Sequence, residues 1–187
     1  MNNLQPLIFL APIIALILVV AGYFFLVKRE INKVIFKRLV FLTTLFAFVM
    51  NFAWEVIQMQ WYKNTIYDIL HISFCALASV ADVIMVLLIY FGFALAYKNA
   101  FWIREVSIQR VLVLMAIGAI GAILAEMRHL TVGAWAYAPS MPMIPIVDVG
   151  ISPVFQFMLL PILIFYLSFF MLKFSSFNFS EAGIKKK

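Results

Sequence analysis

LHISFCALASVADVIMVLLIYFGFALA, residues 70–96, holds a single charge, Asp82, in a run longer than the roughly 20 apolar residues that a bilayer-spanning helix needs. No other stretch says as much about the fold. Four further apolar segments lie at about 7–27, 38–58, 111–129 and 153–173. The chain as a whole is 66% hydrophobic and carries charge on 12% of its 187 positions, a balance that excludes an ordinary soluble domain. These segments predict an all-α polytopic membrane protein: one transmembrane domain over 1–187, built as a five-helix bundle. The leader MNNLQP has no positive charge and no clear cleavage site follows the first segment, which therefore reads as a permanent helix rather than a secretory signal.

Charge outside the segments sets the orientation. The first and third connections and the tail together carry twelve Lys and Arg, among them Lys28, Arg29, Lys33, Lys37, Arg38, Lys98, Arg104 and Arg110. The second and fourth connections carry two, Lys63 and Arg128. Basic residues accumulate on the cytoplasmic side, so the N-terminus is expected outside and the C-terminus in the cytoplasm of the cell (inner) membrane. The formal charge of +6 is thus a topology signal, and no nucleic-acid partner is implied. The single cysteine, Cys75, excludes an intrachain disulfide.

In this orientation Asp82 lies 12 residues into an inward-running helix, about 18 Å at ~1.5 Å per residue, near the middle of a ~30 Å core. Glu55 and Glu126 fall near the outer ends of their helices. Helical spacing gives each acid polar company: Thr44, Asn51, Glu55 and Gln58 form one stripe, and His71, Cys75, Ser79 and Asp82 form a second. Gly118, Ala122, Glu126 and His129 form a third, and Gln156 follows Pro153 on the fifth helix. Gly118 and Gly121 allow close helix packing. Polar stripes are costly against hydrocarbon, by ~2.5 to 3.5 kcal/mol for a central Asp, so the four are expected to face one another around an outward-opening pocket.

Residues 130–152 join the last two helices, and 131–153 read TVGAWAYAPSMPMIPIVDVGISP, aromatic and rich in Pro and Gly. A lid over the pocket suits this composition better than a solvated linker. Trp54, Trp61, Tyr62, Trp135 and Tyr137 also fit an interfacial aromatic belt. The catalytic candidates are Asp82, Glu55 and Glu126. Candidates for contact with a hydrophobic small molecule are Asn51, Trp54, Gln58, His71, Cys75, His129, Trp135, Tyr137 and Gln156.

No cofactor or metal is called for. Glu126 and His129 have the Glu-x-x-His spacing of carboxylate-bridged metal bundles, but a second such pair is missing. His71 with Cys75, and Met127, Met141 and Met143, are spacings too common to specify zinc or copper. No phosphate-binding or dinucleotide fingerprint is present.

The span LAEMRHLTVGAWAYAP, residues 124–139, with Pro145 and Pro153 beyond it, resembles the membrane carotenoid-modifying families, the bisanhydrobacterioruberin-type hydratases and heterodimeric lycopene cyclases. In them an acid ending one helix precedes a T-x-G aromatic loop, matched here by Glu126, Thr131, Gly133 and Tyr137. The paired-acid Pro-x-Glu-Glu stretch of the cyclases has no counterpart. The resemblance implies acid/base chemistry on a carbon-carbon double bond of a lipid or isoprenoid, as an isomerase, hydratase or cyclase. Two other functions use the same acids: a proton-coupled carrier, and an accessory or assembly subunit that docks a membrane-protein partner or a second copy of itself. The missing internal repeat weighs against the carrier.

Overall fold

The structure, a computed structural model, describes the backbone of residues 10–184 and the side chains of residues 10–174; the expected helix start near residue 7 and the tail lysines Lys185, Lys186 and Lys187 lie outside the described residues. Five helices run along the chain: α1 Leu10–Arg29, α2 Lys33–Gln58, α3 Ile69–Ala96, α4 Ile108–Thr131 and α5 Ile151–Ile184. All five are long and apolar enough to cross a membrane.

The helix ends differ from the hydropathy edges for local reasons. α2 begins at Lys33, a turn before its apolar run, because Lys33, Lys37 and Arg38 extend the helix in polar sequence. Asp68 caps α3 by accepting from the His71 amide at 2.8 Å, and Ser107 caps α4 by accepting from the Arg110 amide at 3.3 Å. Pro153 lies in the first turn of α5, where a missing N–H costs nothing.

Polarity is turned inside out. Ile17, Leu77 and Leu124 are more than 60% exposed, whereas Asn51, Ser79 and Gln156 are buried to 1% exposure or less. Hydrocarbon tolerates such an exterior and water does not. Around the bundle α4 packs on α5, α5 on α2, α2 on α3 and α3 on α1, while α4 barely touches α3. The α4–α5 crossing depends on Gly118, where any Cβ would collide with the Phe157 backbone carbonyl. That carbonyl faces Pro161, four residues on, which has no N–H to offer it. A close backbone approach at Gly118 thus occurs where α5 has lost one internal bond.

The two ends of the bundle are built differently. At the end that carries the α1–α2 and α3–α4 connections, here the basic end, a 3₁₀ turn at Trp102–Glu105 folds back between the helices. Its Trp102 is 2% exposed and packs on Tyr90, Phe93 and Phe165 at ring distances of 6.3, 4.9 and 5.6 Å. Trp102 Nε1 donates to the Tyr90 carbonyl at 3.3 Å, and the Tyr90 hydroxyl donates to the Ala100 carbonyl at 2.6 Å. Most of the apolar core gathers here, with Phe36, Leu39, Val86 and Ile164.

The other end, here the acidic end, carries the connection from α4 to α5. This connection is not wholly irregular, as expected for an all-α bundle: it contains an antiparallel ribbon, β1 Met143–Ile144 against β2 Val149–Gly150, in register Met143 to Gly150 and Ile144 to Val149. The turn between them places Asp148 at φ +51°. An isolated bridge pairs Tyr62 with Tyr137, so the lid is stitched to the α2–α3 connection.

Candidate functional site

At the acidic end the site is assembled around the side-chain amide of Gln156. α5 directs Ser152 and Gln156, one turn apart, toward α2, whose Asn51, Glu55 and Gln58 recur at helical spacing, while α3 supplies Asp82. Gln156 Nε2 lies 3.0 Å from Asn51 Oδ1, 3.2 Å from Glu55 Oε1 and 3.1 Å from Asp82 Oδ2. Asn51 is held in this sense because its own Nδ2 donates to the Ala47 carbonyl at 2.8 Å.

A second layer supports the first. Gln58 Nε2 donates to Glu55 Oε1 at 2.7 Å and to Gln156 Oε1 at 3.2 Å. The Ser152 hydroxyl donates to Gln58 Oε1 at 2.8 Å and accepts from Trp54 Nε1 at 3.2 Å. An amide nitrogen has two hydrogens, yet three oxygens compete for the one on Gln156. At any instant one acceptor lacks that donor, and a proton on Glu55 or Asp82 can supply the missing bond.

Glu126 is held otherwise. It is 7% exposed on α4, and its Oε2 accepts from Trp135 Nε1 at 3.1 Å and from the Tyr137 hydroxyl in a short hydrogen bond. Two donors on one oxygen is an arrangement that suits an ionised carboxylate. Both donors belong to the lid. The lid is positioned by the Tyr62–Tyr137 bridge, in which the Lys63 amide donates to Ala136 and the Ala138 amide to Trp61, each at 2.8 Å. Tyr62 adds ring contacts to Trp135 and Tyr137 at 6.3 and 5.4 Å.

Burial, followed by the bond to Glu126, pushes the Tyr137 phenol above its ordinary range. Burial, followed by the charges of Glu126 and Glu55, does the same to Tyr62. Both hydroxyls therefore keep their protons.

The structure thus brings together Asn51, Trp54, Glu55, Gln58, Asp82, Gln156, Glu126, Trp135 and Tyr137. Three other candidates sit apart from this network. His71 shares a helical stripe with Asp82, but its ring Nδ1 lies 2.7 Å from Asp68 Oδ1 at the first turn of α3. The nearby cap captures the ring before it can reach the pocket, and the amide and ring of His71 together hold the Asp68 carboxyl below the usual range. Cys75 is buried with Sγ 3.9 Å from Met59 Sδ, an apolar contact. His129 stacks on Trp135 with centroids 4.3 Å apart and supports the lid rather than touching an acid. Thr44 turns back to the Val40 carbonyl at 2.9 Å.

Ser152 is a member of the network that spacing did not reveal, although it lies one turn before Gln156. Tyr62 is another, since a tyrosine in a belt-like cluster gives no sign of pairing with a distant loop. Among the described residues no group of three or more His, Cys, Asp or Glu is arranged to hold a metal ion. No family model, no curated protein and no solved structure matches this chain, so the resemblance of residues 124–139 rests on its own residues and the functional argument rests on the carboxyl network.

Proposed function

We propose that the chain is embedded in the cell membrane with its N-terminus outside, and that the acidic end binds a lipid or isoprenoid and moves protons to and from a carbon-carbon double bond. One observation carries this reading: Glu55 and Asp82 share one amide donor, while Glu126 on α4 already accepts two from the lid. Environments that differ this much give carboxyls different roles, one an acid and another a base.

In the reaction a proton on the Glu55 and Asp82 pair passes to one alkene carbon, and the electron pair of the double bond forms the new C–H bond. The adjacent carbon becomes cationic, faced by the indoles of Trp54 and Trp135 and by the Glu126 carboxylate. Loss of a neighbouring proton to a carboxylate restores a shifted alkene; where a second double bond of the same molecule first gives its electron pair to the cation, a ring C–C bond forms, and proton loss beside the new cationic carbon leaves the cyclic alkene. Addition of water, with its proton returned to the pair, gives an alcohol. Gln156 steadies whichever carboxyl is left charged.

The test is to extract and identify, by mass spectrometry, any lipid that copurifies with the chain in mild detergent, and to assay it with wild type and Asp82→Asn. A positioned acid contributes about 10²–10⁴-fold, and a loss of that order is expected. Full turnover by Asp82→Asn would sink the assignment. Proton flux in liposomes without chemical change of the lipid would replace it with the carrier.

A further inference from the structure

Toward the basic end, α1 leans on α3 and touches α2 little, leaving an open groove of about 180 Å³ where the three helices meet. Its walls are Val20, Tyr23 and Phe24 of α1, Val40 of α2 and Leu87 and Phe91 of α3. Its apolar walls give water no partners. A stretch of hydrocarbon chain fills such a space without losing hydrogen bonds.

The same two helices carry the apolar lining out to positive charge. Val20, Phe24 and Lys28 follow one another at four-residue steps on α1, and Lys33, Lys37 and Val40 at steps of four and three on α2. Each stripe therefore starts at exposed lysine and ends in the groove wall. The facing ends of the two helices hold five bases, Lys28, Arg29, Lys33, Lys37 and Arg38, against one acid, Glu30, in the connection between them. Arg29 lies over the Phe25 ring at 4.1 Å, so the three lysines carry the recognition argued here.

We infer that this groove is a binding site for an anionic phospholipid, with one acyl chain between α1 and α2 and the phosphate among Lys28, Lys33 and Lys37. The inference rests on the membrane reading but not on the chemistry of the acidic end. Basic pockets between membrane helices select anionic headgroups, and each nearby Lys strengthens binding by roughly fivefold. A zwitterionic lipid offers the same chain with no net charge.

To test this, the full chain in mild detergent is titrated with dioleoyl phosphatidylglycerol, dioleoyl phosphatidylcholine or glycerol phosphate, and bound species are read by native mass spectrometry. Phosphatidylglycerol is expected to be retained at least about tenfold more tightly than phosphatidylcholine. Glycerol phosphate, which lacks the chains, is expected not to be retained. Lys28→Gln, Lys33→Gln and Lys37→Gln together should remove the preference, and Val40→Trp, which fills the groove, should weaken both lipids. If the triple variant loses its helical circular dichroism, Lys37→Gln alone carries the test, with a roughly fivefold drop in preference expected. Asp82→Asn should leave the preference intact, which separates this site from the acidic one. Equal retention of the two lipids, an undiminished preference in a folded lysine variant, or retention of glycerol phosphate would overturn the inference.

Discussion

Trp102 with Tyr90 at the basic end and Trp135 with Tyr137 at the acidic end are the same two residue types put to opposite use. In the first pair each polar tip bonds a backbone carbonyl, and the rings close a core made almost wholly of apolar side chains. In the second pair both tips bond Glu126. A backbone acceptor cannot change its charge, so the first arrangement does nothing but hold shape. A carboxylate can, so the second holds a group that is able to react. The same contrast governs the amides: Asn99 Oδ1 at the basic end accepts from the Phe101 backbone N–H at 2.8 Å, whereas Gln156 at the acidic end is claimed by three oxygens.

If that division is correct, damage at the basic end should lower stability and spare turnover. Trp102→Ala is expected to cost about 3–5 kcal/mol, read by unfolding in mixed micelles, with activity per folded molecule unchanged. A loss of activity in the folded fraction would break the contrast. Gly118→Ala strikes the crossing that positions Glu126 and should cost about 1–3 kcal/mol, because α4 and α5 must part around the new Cβ. It should also lower turnover, which Trp102→Ala does not. Tyr137→Phe removes one of two donors from Glu126 and should slow turnover roughly tenfold, with a smaller effect on unfolding. A variant that lost stability but kept full rate would put Tyr137 in the same class as Tyr90.

The smallest effect belongs to Asp68, which lies outside both pairs. Its carboxyl titrates lower in the folded chain than in the unfolded one. The cap therefore contributes fully above the unfolded pKa and is lost as pH falls through the folded pKa. The melting difference between wild type and Asp68→Asn should be present at neutral pH and vanish in acid below the ordinary carboxylate range.

The stripes of α2 and α5 were legible in the sequence because buried polar residues in apolar helices have few places to go, and spacing alone puts Asn51, Glu55 and Gln58 on one face. Asp82 followed from depth. Spacing failed for His71 because a stripe says which side of a helix a residue occupies but not whether a nearer partner takes it first; the Asp68-x-x-His71 spacing was the available signal. The Trp102 plug was not legible. Its apolar residues sit between Lys98 and Arg104 in a connection that reads as a short polar turn, and only the third dimension shows that Tyr90 and Phe165 leave a slot for the ring. Ser152 shows a related limit, since a serine on an apolar helix more often bonds its own backbone, as Ser79 and Ser168 do.

The bridge between Tyr62 and Tyr137 has a kinetic consequence. It consists of two backbone hydrogen bonds, from Lys63 to Ala136 and from Ala138 to Trp61, and both lie beyond the end of α2. Breaking them frees the lid from the α2–α3 connection without unwinding a turn of any helix. Uncovering Glu126 takes more, since Trp135 and Tyr137 must also release its Oε2 and Trp135 must leave the His129 ring; opening of this kind belongs to the loop motions that run in microseconds to milliseconds. The amide protons of Lys63 and Ala138 would exchange as the bridge opens, which makes them clocks for the first step of access to the carboxyls.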